Sequence, residues 1–410
     1  MGRVSKWAGL GVAAGIVAAL IPVMKGKVEP PAALARLQPQ SETRQRPDFP
    51  GLDLMRMQLR PERVLAPLAE GKIAELTLDP GIQRAAMAQM SRVRVPEGGV
   101  VLMEVATGRL LAYASFVGEG EPYDVNTRAD APAASVFKVV TGATLVERAG
   151  LNQWTEQCYR GGLHRISADE LRDDPARDKW CATMGIAMGR SLNVVFARLA
   201  QKHLTPEDLT AMGGALGFGA PVPFDVPNEA PKIDIPQEPV EFARAAAGFF
   251  HTTLSPLAAV SLAQTVASGG VTLRPRIVAS VRKDNETQWQ DSGTPIVLRR
   301  ALRPETAAEL QSMMLQTVSG GSAQKSFVDR SGRPFLPKIE VAGKTGTLER
   351  PDNDRLYTWF VGFAPADRPE VAVSALVVNN PTWHIKAPEL ARNVLRSYFA
   401  AKGRPGVTAP

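Results

Sequence analysis

Cysteine and histidine are scarce in this chain, two and four among 410 residues. Cys158 and Cys181 are too few to build a zinc site, and His164, His203, His251 and His384 are scattered, with neither HExxH nor a Cys/His ligand spacing. No metal and no cofactor is expected. Aromatic residues are also few, at 6%, and no basic face interleaved with them marks a nucleic-acid surface. Acidic charge falls short too: 48 basic against 41 acidic residues leave a net +7. Residues 1–75 hold eleven basic against seven acidic, so the surplus gathers near the N-terminus. Such a basic stretch suits anionic headgroups or wall polymers; a merely solvated surface is the plainer alternative.

One long uncharged run near the N-terminus is informative. Trp7–Met24 is 18 consecutive uncharged, mostly apolar positions, flanked by Arg3 and Lys6 before and by Lys25 and Lys27 after. That length just spans a bilayer. The expected organisation is a cytoplasmic tail at 1–6, a transmembrane anchor at 7–24 and an extracytoplasmic (periplasmic) body on a single-pass inner-membrane protein. A signal peptide cleaved near Ala33-Leu34-Ala35 is the alternative. Residues 25–72 read as a juxtamembrane stem, because Pro30, Pro31, Pro47, Pro50, Pro61 and Pro67 interrupt any periodicity. An exported body permits a Cys158–Cys181 disulfide worth roughly 3 kcal/mol by loop closure; two buried thiols are the other reading.

From residue 73 to 402 the pattern is that of a folded domain, followed by a short tail at 403–410. Asp79–Met90 carries Ile82, Ala85, Ala86 and Met90 at helical spacing, and Gly99–Val105 and Leu110–Ser115 flank Thr107-Gly108 as a β-hairpin. Their near-continuous apolar runs predict strands covered on both faces. Ser135–Ala149 reads as a buried helix stopped by Gly150, and Leu257–Ala267 as another. Tyr357–Phe363 and Val371–Val378 are β-type, and Pro388–Tyr398 is helical. Strands at both ends with helices between them predict an α/β (α+β) unit, a mostly antiparallel sheet faced by helices.

Three strings carry the chemistry: Ser135-Val136-Phe137-Lys138, Ser191-Leu192-Asn193 and Lys344-Thr345-Gly346-Thr347. Positions i and i+3 share a helix face, so Ser135 and Lys138 can meet. A serine hydroxyl needs a base, and with no histidine placed for it Lys138 is the candidate, neutral through burial and a nearby second cation such as Lys344. Asn193 can hold Lys138 and orient a substrate amide, and Ser191 can pass a proton to a leaving nitrogen. The backbone N–H groups of Ser135 and Thr347 are the candidate oxyanion hole. Lys344, Thr345 and Thr347 offer a cation and two hydroxyls to a carboxylate, with Gly346 admitting the ligand backbone. Ser322-Ala323-Gln324-Lys325 also matches Ser-x-x-Lys and reads as a chance repetition, since it opens no long apolar helix.

In this order the strings resemble the transpeptidase domain of penicillin-binding proteins. The likeness extends to Leu76-Thr77-Leu78-Asp79 with Gln83, to Val105–Ala112, to Ser255-Pro256-Leu257 with Ala267–Gly270, and to Phe360–Pro365. It implies a β-lactamase/transpeptidase-like fold with an all-helical subdomain over residues 73–402, binding β-lactams and peptidoglycan stem peptides. Ala133-Ala134-Ser135 departs from the usual Pro-Gly-Ser approach. The interval between anchor and body leaves no room for a glycosyltransferase domain, which implies a separate glycan-strand polymerase as partner. Class A β-lactamases add a Glu-x-x-Leu-Asn segment; Glu207 and Glu229 do not stand in one. The expected activity is therefore a serine D-Ala-D-Ala transpeptidase that passes its acyl group to an amine. A D,D-carboxypeptidase or β-lactamase, and a non-catalytic β-lactam sensor or assembly scaffold, are the alternatives.

Overall fold

A computed structural model describes residues 47–162, 165–350, 354–380 and 384–410. The expected anchor at 7–24 lies outside the described residues, and among those described no helix is long and apolar enough to cross a membrane. Residues 25–46 of the expected stem also lie outside them. Its remainder is not an extended linker: β1 (Gln58–Leu59) and β2 (Val64–Pro67) pair antiparallel with each other, and β2 with β3 (Ile73–Leu76). A boundary at residue 73 therefore cuts a sheet. Prolines do interrupt this stretch, but they leave strands of two to four residues between them, too short for an alternation to be visible.

The next elements follow the hydrophobic pattern closely. Helix α1 (Pro80–Arg92) starts where the Asp79 side chain accepts from the Ile82 N–H, with Pro80 in the first turn. Strands β4 (Glu97–Glu104) and β5 (Leu110–Val117) form the expected hairpin. A single 3₁₀ turn, Ala134–Phe137, then runs into α2 (Lys138–Ala149), which stops at Gly150 in the left-handed region, φ 66°.

Strands β6 (Glu156–Tyr159) and β7 (Trp180–Thr183) pair antiparallel, with Cys158 opposite Cys181, and the two cysteines are disulfide-bonded. The helical part is thus not all-helical, because this hairpin sits within it. Helices α3 (Met184–Arg190), α4 (Asn193–His203) and α5 (Pro239–Ala246) follow it in sequence. Helix α6 (Pro256–Ala267) is capped by Ser255 and is buried at every one of its positions. Strands β8 (Val278–Lys283) and β9 (Glu286–Gln290) complete the small antiparallel sheet in the order β1-β2-β3-β8-β9.

After α7 (Pro304–Ser319) come β10 (Ala342–Arg350), β11 (Arg355–Ala364) and β12 (Val371–Asn379), then α8 (Ala387–Ala401). These strands join the first hairpin in a five-stranded antiparallel sheet, β10-β11-β12-β4-β5, which makes β10 an edge strand. Alternate residues feed two different cores. Val100, Leu102, Val373 and Ala375 pack with Ile82, Met90, Leu390 and Val394 of α1 and α8. Val101, Met103, Trp359 and Leu376 point to the other side, where α6 and α2 lie. Two covered faces explain why these strands read as continuous apolar runs rather than alternating ones. The sheet edge at β10 and the helices behind the second face meet around Ser135.

Candidate active site

Ser135 stands in the 3₁₀ turn and Lys138 is the first residue of α2, so the two are one turn apart. The residue before the serine, Ala134, has φ +50°, a left-handed conformation that costs an alanine about 1–2 kcal/mol. The neighbouring chain holds it there. Gly248, at φ +86°, lies so close that a Cβ on it would stand 2.3 Å from the Ala134 carbonyl oxygen and 3.0 Å from the Ser135 Cα. Only glycine permits that approach.

The second string straddles a junction between helices. Ser191 ends α3 in a left-handed conformation, φ 58°, and Asn193 begins α4, so one short bend presents both side chains to the same space. Helix α4 is fastened from behind. Its Arg198 is fully buried and donates to the Glu170 and Cys158 carbonyls and to Asp173 and Asp178. That guanidinium, together with Arg160, holds the Asp178 carboxyl well below the usual range. The disulfide hairpin is in this way tied to the helix that carries Asn193.

Lys138 is fully buried, and its Nζ lies 2.7 Å from Ser135 Oγ, 2.7 Å from Asn193 Oδ1 and 2.5 Å from the Ala247 carbonyl. Burial, and secondarily the charge of Lys344, push its pKa well below that of an ordinary lysine. A neutral amine has two N–H bonds and one lone pair. The Asn193 and Ala247 oxygens can only accept, so they take the two N–H bonds and leave the lone pair for the Ser135 hydroxyl. This is the arrangement a serine needs to be deprotonated.

Lys344 is likewise fully buried, and burial lowers its pKa to about 7. Its Nζ donates to Ser191 Oγ and to the Thr345 carbonyl, both at 2.9 Å. Strand β10 runs alongside the nucleophile's turn: a Cβ on Gly346 would come within 3.3 Å of the Ala134 Cβ and 3.2 Å of Trp359. Gly346 thus allows the strand to close on the serine. Trp359, opposite Gly346 in the register, is buried and donates its indole N–H to the Pro132 carbonyl, a floor beneath the strand rather than a contact surface. Thr347 is exposed and, with Asn193, lines a cleft of about 710 Å³ that also touches Arg165, Arg244 and Phe250.

The fold therefore brings Ser135, Lys138, Ser191, Asn193, Lys344, Thr345, Gly346 and Thr347 around one space. Sequence reasoning missed the Ala247 carbonyl, which no side-chain pattern announces, and it set aside Ser322, whose Oγ lies 2.6 Å from Thr345 Oγ1. Glu207 and Glu229 are engaged elsewhere, by Gln237 and by the Ala129 N–H. Two carboxylates the sequence did not single out, Glu241 and Glu349, line the cleft, and Glu241 accepts from Arg244. Among the described residues one cluster of metal-ligating types occurs, Glu156 with Cys158 and Cys181. Its two sulfurs are bonded to each other and offer no thiolate.

Residues 98–396 match the penicillin binding protein transpeptidase domain model. The chain is 27% identical over 346 residues to peptidoglycan D,D-transpeptidase PbpA of Mycobacterium tuberculosis, covering 75% of this chain and 68% of that one. Among solved structures it resembles the D,D-transpeptidase domain of a peptidoglycan glycosyltransferase from Eggerthella lenta, with a TM-score of 0.65 and 25% identity over 80% of this chain and 83% of that one. It also resembles the imipenem acyl-enzyme complex of penicillin-binding protein A from M. tuberculosis, with a TM-score of 0.64 and 24% identity over 80% of both chains.

Proposed function

The chain belongs to the penicillin-binding protein transpeptidase family, matched over residues 98–396, and we propose that it cross-links peptidoglycan stem peptides through an acyl-enzyme on Ser135. The observation that carries this reading is the Lys138 amine, buried without a carboxylate partner among the described residues and aimed at the serine hydroxyl. In this reading Ser135 Oγ attacks the carbonyl between the two terminal D-alanines while its proton moves to the Lys138 lone pair. The backbone N–H groups of Ser135 and Thr347 receive the developing oxyanion. Ser191, joined to Lys344, delivers a proton to the departing D-alanine nitrogen. The acyl group on Ser135 then passes to an amine of a second stem peptide, with the proton transfers reversed. Thr345, Thr347 and Lys344 hold the terminal carboxylate. A β-lactam would enter by the same first step and leave no departing fragment.

The proposal extends to the N-terminus. Residues 7–24 serve as a membrane anchor, supported by their 18 uncharged positions between basic flanks, and a separate polymerase supplies the glycan strands.

The test is covalent labelling of the protein with a fluorescent penicillin beside Ser135→Ala. Wild type is expected to hold the label for many minutes and the variant to take none. Absence of label on wild type would overturn the acyl-enzyme, and loss within seconds would replace the transpeptidase with a hydrolase.

A further inference from the structure

The Ser-x-x-Lys repetition at Ser322 lies on the third string of the active site. The stretch Gly320–Ala323 follows α7 and wedges between the last turn of α3 and strand β10. The Ser322 N–H donates to the Gly189 carbonyl at 2.9 Å, two residues before Ser191, while its hydroxyl meets the Thr345 hydroxyl at 2.6 Å. The fit admits no side chain at Gly321 or Gly189. A Cβ on Gly321 would stand 2.2 Å from the Gly189 oxygen and 2.6 Å from the Gln316 oxygen, and one on Gly189 would stand 2.8 Å from Gln316. Lys325, the other half of the apparent motif, is exposed and faces away from the role its spacing suggested.

Two hydroxyls in one hydrogen bond hold two hydrogens and use one between them. When Ser322 donates to Thr345, the Thr345 hydrogen is released toward the open side of the strand. Thr345 is partly exposed there, beside exposed Thr347 and next to buried Lys344 in the strand. We propose that Ser322 is a positioning residue for carboxylate recognition: it orients the Thr345 hydroxyl as a donor to the terminal carboxylate of the stem peptide or β-lactam. This rests on the transpeptidase reading and adds a residue to it. Ser322 touches no reacting atom, and it also registers β10 against the end of α3, so that the hydroxyl of Thr345 and that of Ser191 keep a common frame.

The experiment compares acylation by benzylpenicillin with acylation by its methyl ester, which keeps the reactive ring and lacks the anionic carboxylate. Second-order rate constants are measured for wild type, Ser322→Ala and Ser322→Thr. The acid-over-ester preference is expected to fall about tenfold in Ser322→Ala, the size of one hydrogen bond to a charged group, and to return in Ser322→Thr. A preference left unchanged in Ser322→Ala, whatever happens to the absolute rate, would overturn the assignment and make the residue a prop alone. A preference lost equally in Ser322→Thr would overturn it too, since that variant retains the hydroxyl. Wild type that takes no label from either compound would overturn the acyl-enzyme reading itself and this inference with it.

Discussion

The site has two ends built on different principles. At the nucleophile end the backbone is bent out of its ordinary range, with Ala134 at φ +50° and Ser191 at φ +58°, and one amine meets three oxygens. At the strand end β10 is regular, paired residue for residue with β11 from Ala342 to Arg350, and Lys344 meets one hydroxyl and one carbonyl. Both lysines are fully buried, and neither is paired with a carboxylate among the described residues. A carboxylate partner would hold a lysine charged; desolvation alone favours the neutral form. What separates the two is the third oxygen. Lys138 has its N–H bonds occupied and its lone pair aimed at Ser135, which suits it to take a proton. Lys344 stands a strand away, where its charge depresses the pKa of Lys138 and binds Ser191.

The sharpest way to break this contrast is Lys138→Ala. Penicillin acylation is expected to fall by about 10²- to 10⁴-fold, the contribution of a positioned general base. A near-normal rate would move the base to another group.

Lys344→Gln should act more mildly, lowering acylation about 10- to 100-fold. It should also change the pH profile in a definite direction. Without the Lys344 charge Lys138 binds its proton more tightly, so the acid limb of the rate profile moves to higher pH. An unmoved limb would mean that burial alone tunes Lys138. The same variant tests stability. Lys344 has a folded pKa of about 7, below the 10.5 of an exposed lysine, so the unfolded chain binds the proton more strongly. Stability from this group therefore rises as pH climbs from about 7 toward 10.5. Across that window the melting temperature should rise less with pH for Lys344→Gln than for wild type.

The smallest expected effect concerns the bent turn. Ala134→Gly removes the left-handed penalty but frees the unfolded chain, for a net gain of about 0.5–1 kcal/mol in denaturant unfolding. A loss instead would show that the Ala134 Cβ, packed toward Gly346, matters more than the strain.

These two ends also differ in how far they could be read beforehand. The helix after Ser135 and the strands β4, β5, β11 and β12 were legible because each is a long apolar run, and burial on two faces makes such runs continuous. The strands β1 and β2 were not, being two and four residues long among prolines, so the expected stem concealed part of a sheet. At the site, side-chain types announced Lys138, Asn193 and Lys344. The Ala247 carbonyl has no type to announce it. The left-handed φ of Ala134 was hidden for the opposite reason, since alanine gives no warning of a conformation in which glycine is usual. Ser322 was visible, but nothing in its spacing pointed to its partner. Its spacing to Lys325 was meaningless, whereas its relation to Thr345 crosses between separate elements.

Residue spacing by itself determined which groups could act locally: Ser135 with Lys138 one turn on, Ser191 beside Asn193, and the alternating faces of the Lys-Thr-Gly strand. Bond geometry settles such short separations. The tertiary structure alone decided how they combine. The Lys138 amine meets an oxygen 109 residues away, Lys344 meets a hydroxyl 153 residues away, and both lysines lose their water. Packing of sheet edge against helix ends sets those contacts. The desolvation it imposes lowers the pKa of both amines and suits them to the proposed roles of base and tuner.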